Sequence, residues 1–213
     1  MVHEPALTAR LPRNRRFDGR RLRSERTRQL IIEAFLELLT LTGRTPTASQ
    51  IAERAGYSVR SIFERFSDLG ALSLATADHA IAVGQSEATA HDVDGDRPTR
   101  IRSHVKIRAL ACEKWLPLWH AMLETQDEVT ELKTRIVQVR LANLERLKLM
   151  YGPEFETLPE AEREQLLFAL GALTSIESWN QMRDVYGLSI EAAQGVWRAA
   201  IDRLLPPTPR AVG

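Results

Sequence analysis

The chain of 213 residues holds one cysteine, Cys112, and no lysine before Lys106. A lone cysteine excludes an intrachain disulfide and suits a reducing compartment. Long hydrophobic runs are missing too. The longest, Leu166 to Leu173 with Gly171 inside it, is far short of the ~18 to 20 residues that span a bilayer. The amino-terminal MVHEPALTARLPRNRR lacks the apolar centre of a secretory signal, so a cytoplasmic protein is expected. There is no glycine-rich phosphate loop, no GxSxG elbow and no HExxH pair. His3, His79, His91, His104 and His120 are scattered, and none stands at a zinc-ligand spacing from Cys112. No catalytic residue, metal ligand or cofactor is therefore assigned. No stretch alternates with period two, so no strand is expected.

What is present is charge of one sign at one end. Residues 1 to 72 carry 13 Arg against 8 Asp plus Glu, a net of +5, and the remainder carries 16 Lys plus Arg against 20 acids, a net of −4. That division suits a nucleic-acid-binding end joined to one that does not bind. Arg10, Arg13, Arg15, Arg16, Arg20, Arg21 and Arg23 crowd residues 1–23, which show no apolar period. They read as a basic arm that either follows DNA phosphates or is a solvated tail.

The stretch from Thr47 to Phe66, TASQIAERAGYSVRSIFERF, is the most informative. Thr47 with Gln50 forms a capping box that opens a helix. Gly56 suits the left-handed turn at that helix's end, and Ser58 is an N-cap for a second helix. Ile62 and Phe66 share one face of it. Val59, Arg60 and Ser61 fall in its first turn, where a recognition helix meets base edges. Upstream, Ile31, Ala34, Phe35, Leu38 and Leu39 keep helical spacing, predicting a first helix over about 24–41. Ser67-Asp68 caps a fourth that continues to about residue 86.

Polar residues 91–98 separate this unit from a wholly helical remainder. Helices are predicted over about 99–114, ended by Pro117; 118–124; 125–151, opened by a Thr125/Glu128 capping box; 159–186, opened by Thr157/Glu160; and 190–205, capped by Ser189. Trp115, Trp119, His120, Met122 and Cys112 gather near the break at Pro117, and aromatic and Met side chains there suit either an apolar pocket or plain core. Glu177 and Asn180 are further ligand candidates. Cys112 is either inert packing or a redox sensor. The run LLFALGAL is apolar all round. With the stripe along the last helix it nominates Leu167, Leu170, Gly171, Trp197, Ala200, Ile201 and Leu204 for a dimer interface, with an intrachain core as the alternative. Gly171 and Ala172 would let a partner helix approach.

The elements Ile51-Ala52, Ala55-Gly56-Tyr57-Ser58, Ile62-Phe63, Phe66 and Ala71-Leu72 resemble, in order and spacing, those of the tetracycline-repressor (TetR) family of bacterial regulators. Phe63 and Leu69 depart from it, standing where that family has a Tyr and a Lys that commonly touch phosphates. The resemblance implies an all-α protein of about nine helices. Its parts would be a basic arm (1–23), a helix-turn-helix DNA-binding domain (24–72), a helical effector-binding and dimerisation domain (87–206) and a tail (207–213). It also implies a homodimer through the last two helices, a double-stranded operator, and a small apolar or amphipathic effector that acts through helix 4. No membrane partner is expected. Side-chain chemistry assigns base readout to Arg60, with Val59 and Ser61 beside it. Phosphate contacts fall to Thr47, Ser58, Arg44 and Arg65, and Phe63 either packs on sugar or supports the turn. The rival from another class is a helical scaffold whose helix-turn-helix no longer reads DNA.

Overall fold

The computed structural model describes residues 15–87 and 90–209, and among them every regular element is helical. The helices are α1 Arg15–Thr42, α2 Ala48–Ala55, α3 Val59–Phe63, α4 Leu69–Glu87, α5 Arg97–Thr125, α6 Thr130–Phe155, α7 Glu160–Leu173, α8 Ile176–Asn180 and α9 Ile190–Leu204. A π-helical turn, Gln181–Val185, lies between α8 and α9.

The amino-terminal helices close over one apolar centre. Ile31, Phe35 and Leu39 of α1, Ile51 of α2, Ile62 of α3 and Leu72 of α4 are fully buried. The capping box forms in full: the Thr47 hydroxyl accepts from the Gln50 amide, and the Gln50 side chain accepts from the Thr47 amide at 2.8 Å. Gly56 takes φ 73° and donates back to Ala52 and Glu53, closing α2 at the one position where a side chain would strain the turn. Ser58 accepts from the Ser61 amide at 3.1 Å. Asp68 caps α4 by accepting from Ala71 at 2.7 Å.

Helix α1 starts at Arg15 rather than at Ser24. Arg and Leu are good helix formers, and extending a helix already nucleated costs little. Arg21 and Arg23 are thus on a helix instead of an arm, whereas Arg10 and Arg13 lie outside the described residues.

The second unit departs further from expectation. Helix α5 runs through Pro117 without a break. Cys112, Leu118, Trp119 and Met122 are buried on both sides of the proline, so packing overrides the local cost of a missing amide. Thr125 does not open α6. Its hydroxyl donates to the Ala121 carbonyl, ending α5, and α6 begins at Thr130 with no side-chain cap. Thr157 likewise donates back to Glu154, and α7 starts after Pro159. The single helix expected over 159–186 is interrupted at Thr174-Ser175. There Ser175 turns extended and caps α8, accepting from Ser178 at 3.0 Å.

Helix α5 packs on α6 and α9, and α6 packs on α7. Trp179 and Trp197 pack with tilted rings, their centroids 4.7 Å apart and both fully buried, and Trp179 Nε1 donates to Glu113 of α5 at 2.8 Å. Leu167, Leu170, Trp197 and Ile201 are buried inside the chain, so they are core and not a free interface. Gly171 faces the same way: a Cβ there would meet the Leu144 side chain of α6. The close approach it permits is therefore within the chain. Gly171 and Ala200 are half-buried, and Leu204 is 48% exposed.

Candidate nucleic-acid interface and ligand cavity

Two regions gather the candidate residues, and α4 joins them. The first is the exposed side of the helix-turn-helix. Arg60 projects from the first turn of α3 with its side chain 88% exposed; its Nε donates to Glu64 at 3.1 Å, and its terminal nitrogens have no hydrogen-bond partner among the described residues. Val59 and Ser61 flank it, both exposed or nearly so. Phe63, 46% exposed, offers a ring edge but no donor. Arg44 is exposed at the turn between α1 and α2. The Thr47 and Ser58 hydroxyls are engaged in capping. Arg65 differs from expectation. It folds back, donating to the Ser61 carbonyl at 2.8 Å, with its side chain 22% exposed; a guanidinium held in this way is not a projecting clamp.

Helix α1 touches this region. Thr27 meets the Tyr57 hydroxyl at 3.3 Å, and the Arg28 guanidinium lies 4.8 Å from the Phe66 ring centroid. Arg21, Arg23 and Arg26 stand on the turns before that contact and are exposed. Arg54, by contrast, is tied to Glu37 of α1, its Nε donating at 2.7 Å, and serves the fold.

The second region is a cavity of about 270 Å³ among α4, α5, α6 and α8. Trp115, Trp119 and Met122 line it, as the sequence suggested. Four other candidates do not. His120 points to solvent, Glu177 pairs with Arg140 at 2.8 Å, and Asn180 and Cys112 face elsewhere. Burial raises the Cys112 thiol above its ordinary value, which keeps it protonated and unreactive. A thiol-alkylating reagent should leave the native protein unmodified and label one site once urea unfolds it; rapid labelling of the native protein would revive the sensor reading.

The polar groups that do line the cavity are His104, Arg108, Gln138, Asn143 and Arg146, with Gln85 of α4. His104 is buried, with Nδ1 2.8 Å from the Tyr151 hydroxyl and Nε2 without a partner. Burial lowers its pKa to about 3, and the charges of Arg108 and Arg146 add to the effect; the ring is neutral. Asn143 donates to Thr174 Oγ1 at 3.1 Å, which leaves its own carbonyl oxygen buried and unpartnered. Sequence reasoning missed these residues. His104, Arg108, Ala111, Trp115, Trp119 and Met122 follow helical spacing along one face, but the expected break at Pro117 hid that continuity.

Helix α4 links the two regions. Its first turns bury Leu72 in the helix-turn-helix core, while Ala77, Ala80, Ile81, Gly84 and Gln85 line the cavity. Arg135 of α6 clasps Asp78 of α4 at 2.7 Å. At its base, Val129 stands so close to Gly70 that a Cβ there would lie 2.9 Å from it.

The described residues thus form a helix-turn-helix joined through α4 to a helical domain that holds a cavity. The particular likeness is to a solved structure from Mesorhizobium loti MAFF303099, assigned to the TetR family of transcriptional regulators. It matches with a TM-score of 0.57 and 16% identity over 85% of this chain and 96% of that one. The chain thus has a TetR-like, all-helical fold. No family model matches the sequence, and no curated protein matches it. Among the described residues, no helix is long and apolar enough to cross a membrane.

Proposed function

We propose that this chain is a cytoplasmic, homodimeric transcriptional regulator of the repressor type, released from a near-palindromic operator when a small molecule fills its cavity. The observation that carries the reading is α4, which is buried in the helix-turn-helix core at one end and lines the cavity at the other. A ligand that prefers one position of α4 shifts the spacing of the two recognition helices and so the affinity for DNA; coupling follows only from such a preference. Val59, Arg60 and Ser61 enter the major groove. Arg60 reads guanine, Arg44 and the basic start of α1 hold phosphates, and Phe63 packs on sugar. Arg65 braces α3 from behind.

The deciding experiment is selection of bound duplexes from a random pool by the purified full chain at about 150 mM salt. An inverted repeat with half-site centres ~34 Å apart, or a multiple of this, is expected. Recovery of unselected DNA alone, with and without a metabolite extract, would favour the helical scaffold instead. On the selected operator, Arg60→Ala should cost ~1–3 kcal/mol and relax preference at one base pair per half-site. A uniform loss across all operator variants would reassign Arg60 to phosphate.

A further inference from the structure

The cavity's lining is chemically lopsided. It contains two guanidiniums, Arg108 and Arg146, and no Asp or Glu. Nearby acids are engaged elsewhere: Glu177 with Arg140 at 2.8 Å and Glu113 with Arg183 at 2.7 Å. Arg108 is held in place by donation from Nε to the Thr174 carbonyl at 2.9 Å, and its terminal nitrogens have no hydrogen-bond partner among the described residues. Arg146 has neither an ion pair nor a hydrogen bond among the described residues, and burial pulls its pKa down. A half-buried cation without a partner is costly unless something completes it.

His104 adds a third donor. Tyr151 has no hydrogen-bond partner other than His104 Nδ1 among the described residues. With the Tyr151 hydroxyl donating to Nδ1, its buried proton has an acceptor and the ring proton falls on Nε2, whereas the opposite direction would leave that hydroxyl proton without one. That atom is buried and unpartnered, on a residue that lines the cavity.

These groups sit at one end. Arg100 meets Glu154 and His104 meets Tyr151, so α5 and α6 run antiparallel, and Arg108 lies level with Arg146. From Arg108 to Trp119 the helix rises about 16 Å at 1.5 Å per residue. The other end is lined by Ile81, Trp115, Leu118, Trp119, Met122 and Val139.

We propose that the effector is a small monocarboxylate with an apolar chain or ring, its carboxylate held between Arg108 and Arg146 and reached by His104 Nε2–H, its apolar body lying against Trp115, Trp119 and Met122. The assignment rests on the reading of this cavity as the effector site. Paired guanidiniums suit a carboxylate because charge-assisted hydrogen bonds to it are strong and directional. The small volume limits the occupant to one compact molecule.

The test measures binding to the purified full chain by calorimetry and by the fluorescence of the cavity tryptophans. The probes are octanoate, 4-phenylbutyrate, octanamide and octylamine. At least one of the two acids should bind saturably, about 10- to 100-fold more tightly than octanamide, and octylamine should not bind. Comparison of the two acids distinguishes an acyl chain from an aromatic body. In Arg146→Met, which removes no intrachain hydrogen bond or ion pair among the described residues, the preference for acid over amide should shrink by about tenfold or more; Arg146→Lys should restore part of the preference. Binding of neither acid more tightly than octanamide, binding of none of the four, or an unchanged preference in Arg146→Met would each overturn the proposal. Operator selection is independent of these readouts. A specific operator without carboxylate binding overturns the ligand assignment alone, and carboxylate binding without an operator overturns the regulator reading alone.

Discussion

Phe168→Asp combined with Val196→Asp is expected to yield a folded monomer that no longer binds its operator specifically. Phe168 of α7 is 59% exposed and Val196 of α9 is 45% exposed, and exposed Ala172 and Ala199 stand one helical turn on. With Leu204 they are exposed apolar and small positions on α7 and α9, where the proposed dimer would pack. The partners named from sequence on the same helices, Leu167, Leu170, Trp197 and Ile201, are buried within the chain. A two-fold pair presents the same patch on both subunits, so each aspartate enters the interface twice and four charges are placed there. Loss of the dimer leaves one recognition helix per molecule. Specific complexes are typically at least ~10³-fold tighter than nonspecific ones, and about that much should disappear. Light scattering would report the mass, and a DNA titration at fixed salt the affinity. Because both positions are exposed, the monomer's own melting should change little. A variant that remains dimeric and binds the operator as before would place the interface elsewhere.

The second large effect concerns stability. Glu154→Ala should destabilise the native state by ~3–5 kcal/mol. Glu154 is fully buried. It accepts from Arg100 at 2.6 and 2.8 Å and from Thr208 beyond the end of α9. Arg100 also donates to the carbonyls of Gly95 and Met150, so the pair joins the start of α5, the kinked end of α6 and the carboxy-terminal segment. Removing the carboxylate leaves a buried guanidinium without its counter-charge. The double variant Arg100→Met/Glu154→Leu removes both charges at similar volume and should recover most of the loss. Urea melts of the three proteins make the comparison, and a double variant as weak as Glu154→Ala would show that the carbonyl contacts of Arg100 matter more than the charge pair.

The same pair sets an acid limit. Burial alone would raise the pKa of Glu154, but donation from Arg100 and Thr208 outweighs it and holds the carboxyl below the ordinary carboxylate range. A group whose folded pKa is depressed contributes stability that is present above its unfolded pKa and lost as pH falls through the folded one. Stability should therefore fall in acid, below the usual carboxylate range, and the double variant should lack that component of the slope.

Among the described residues, the sequence by itself determined the helix-turn-helix and the helical class. The Thr47/Gln50 box, the left-handed Gly56, and the Ser58, Asp68 and Ser189 caps all join groups within four residues of one another, and such contacts depend on little else. The same reasoning failed at Thr125/Glu128 and Thr157/Glu160. There the pattern was present, but each threonine hydroxyl had a nearer acceptor in the helix behind it. Local rules also misjudged Pro117, because buried neighbours on both sides hold α5 straight through it. They missed the break at Ser175, which lies within a stretch that keeps its apolar spacing. The tertiary structure alone decided the cavity. Its aromatic end was legible because Trp115, Trp119 and Met122 cluster along the chain. Its charged end was not, because Arg108 and Arg146 come to line one cavity only when α5 and α6 lie antiparallel, and nothing local to either arginine distinguishes it from a solvated one. Which apolar residues are core and which are left for a partner was settled in the same way. Leu167 and Phe168 are adjacent in sequence, and only the packing of α7 on the rest of the chain buries the first and exposes the second.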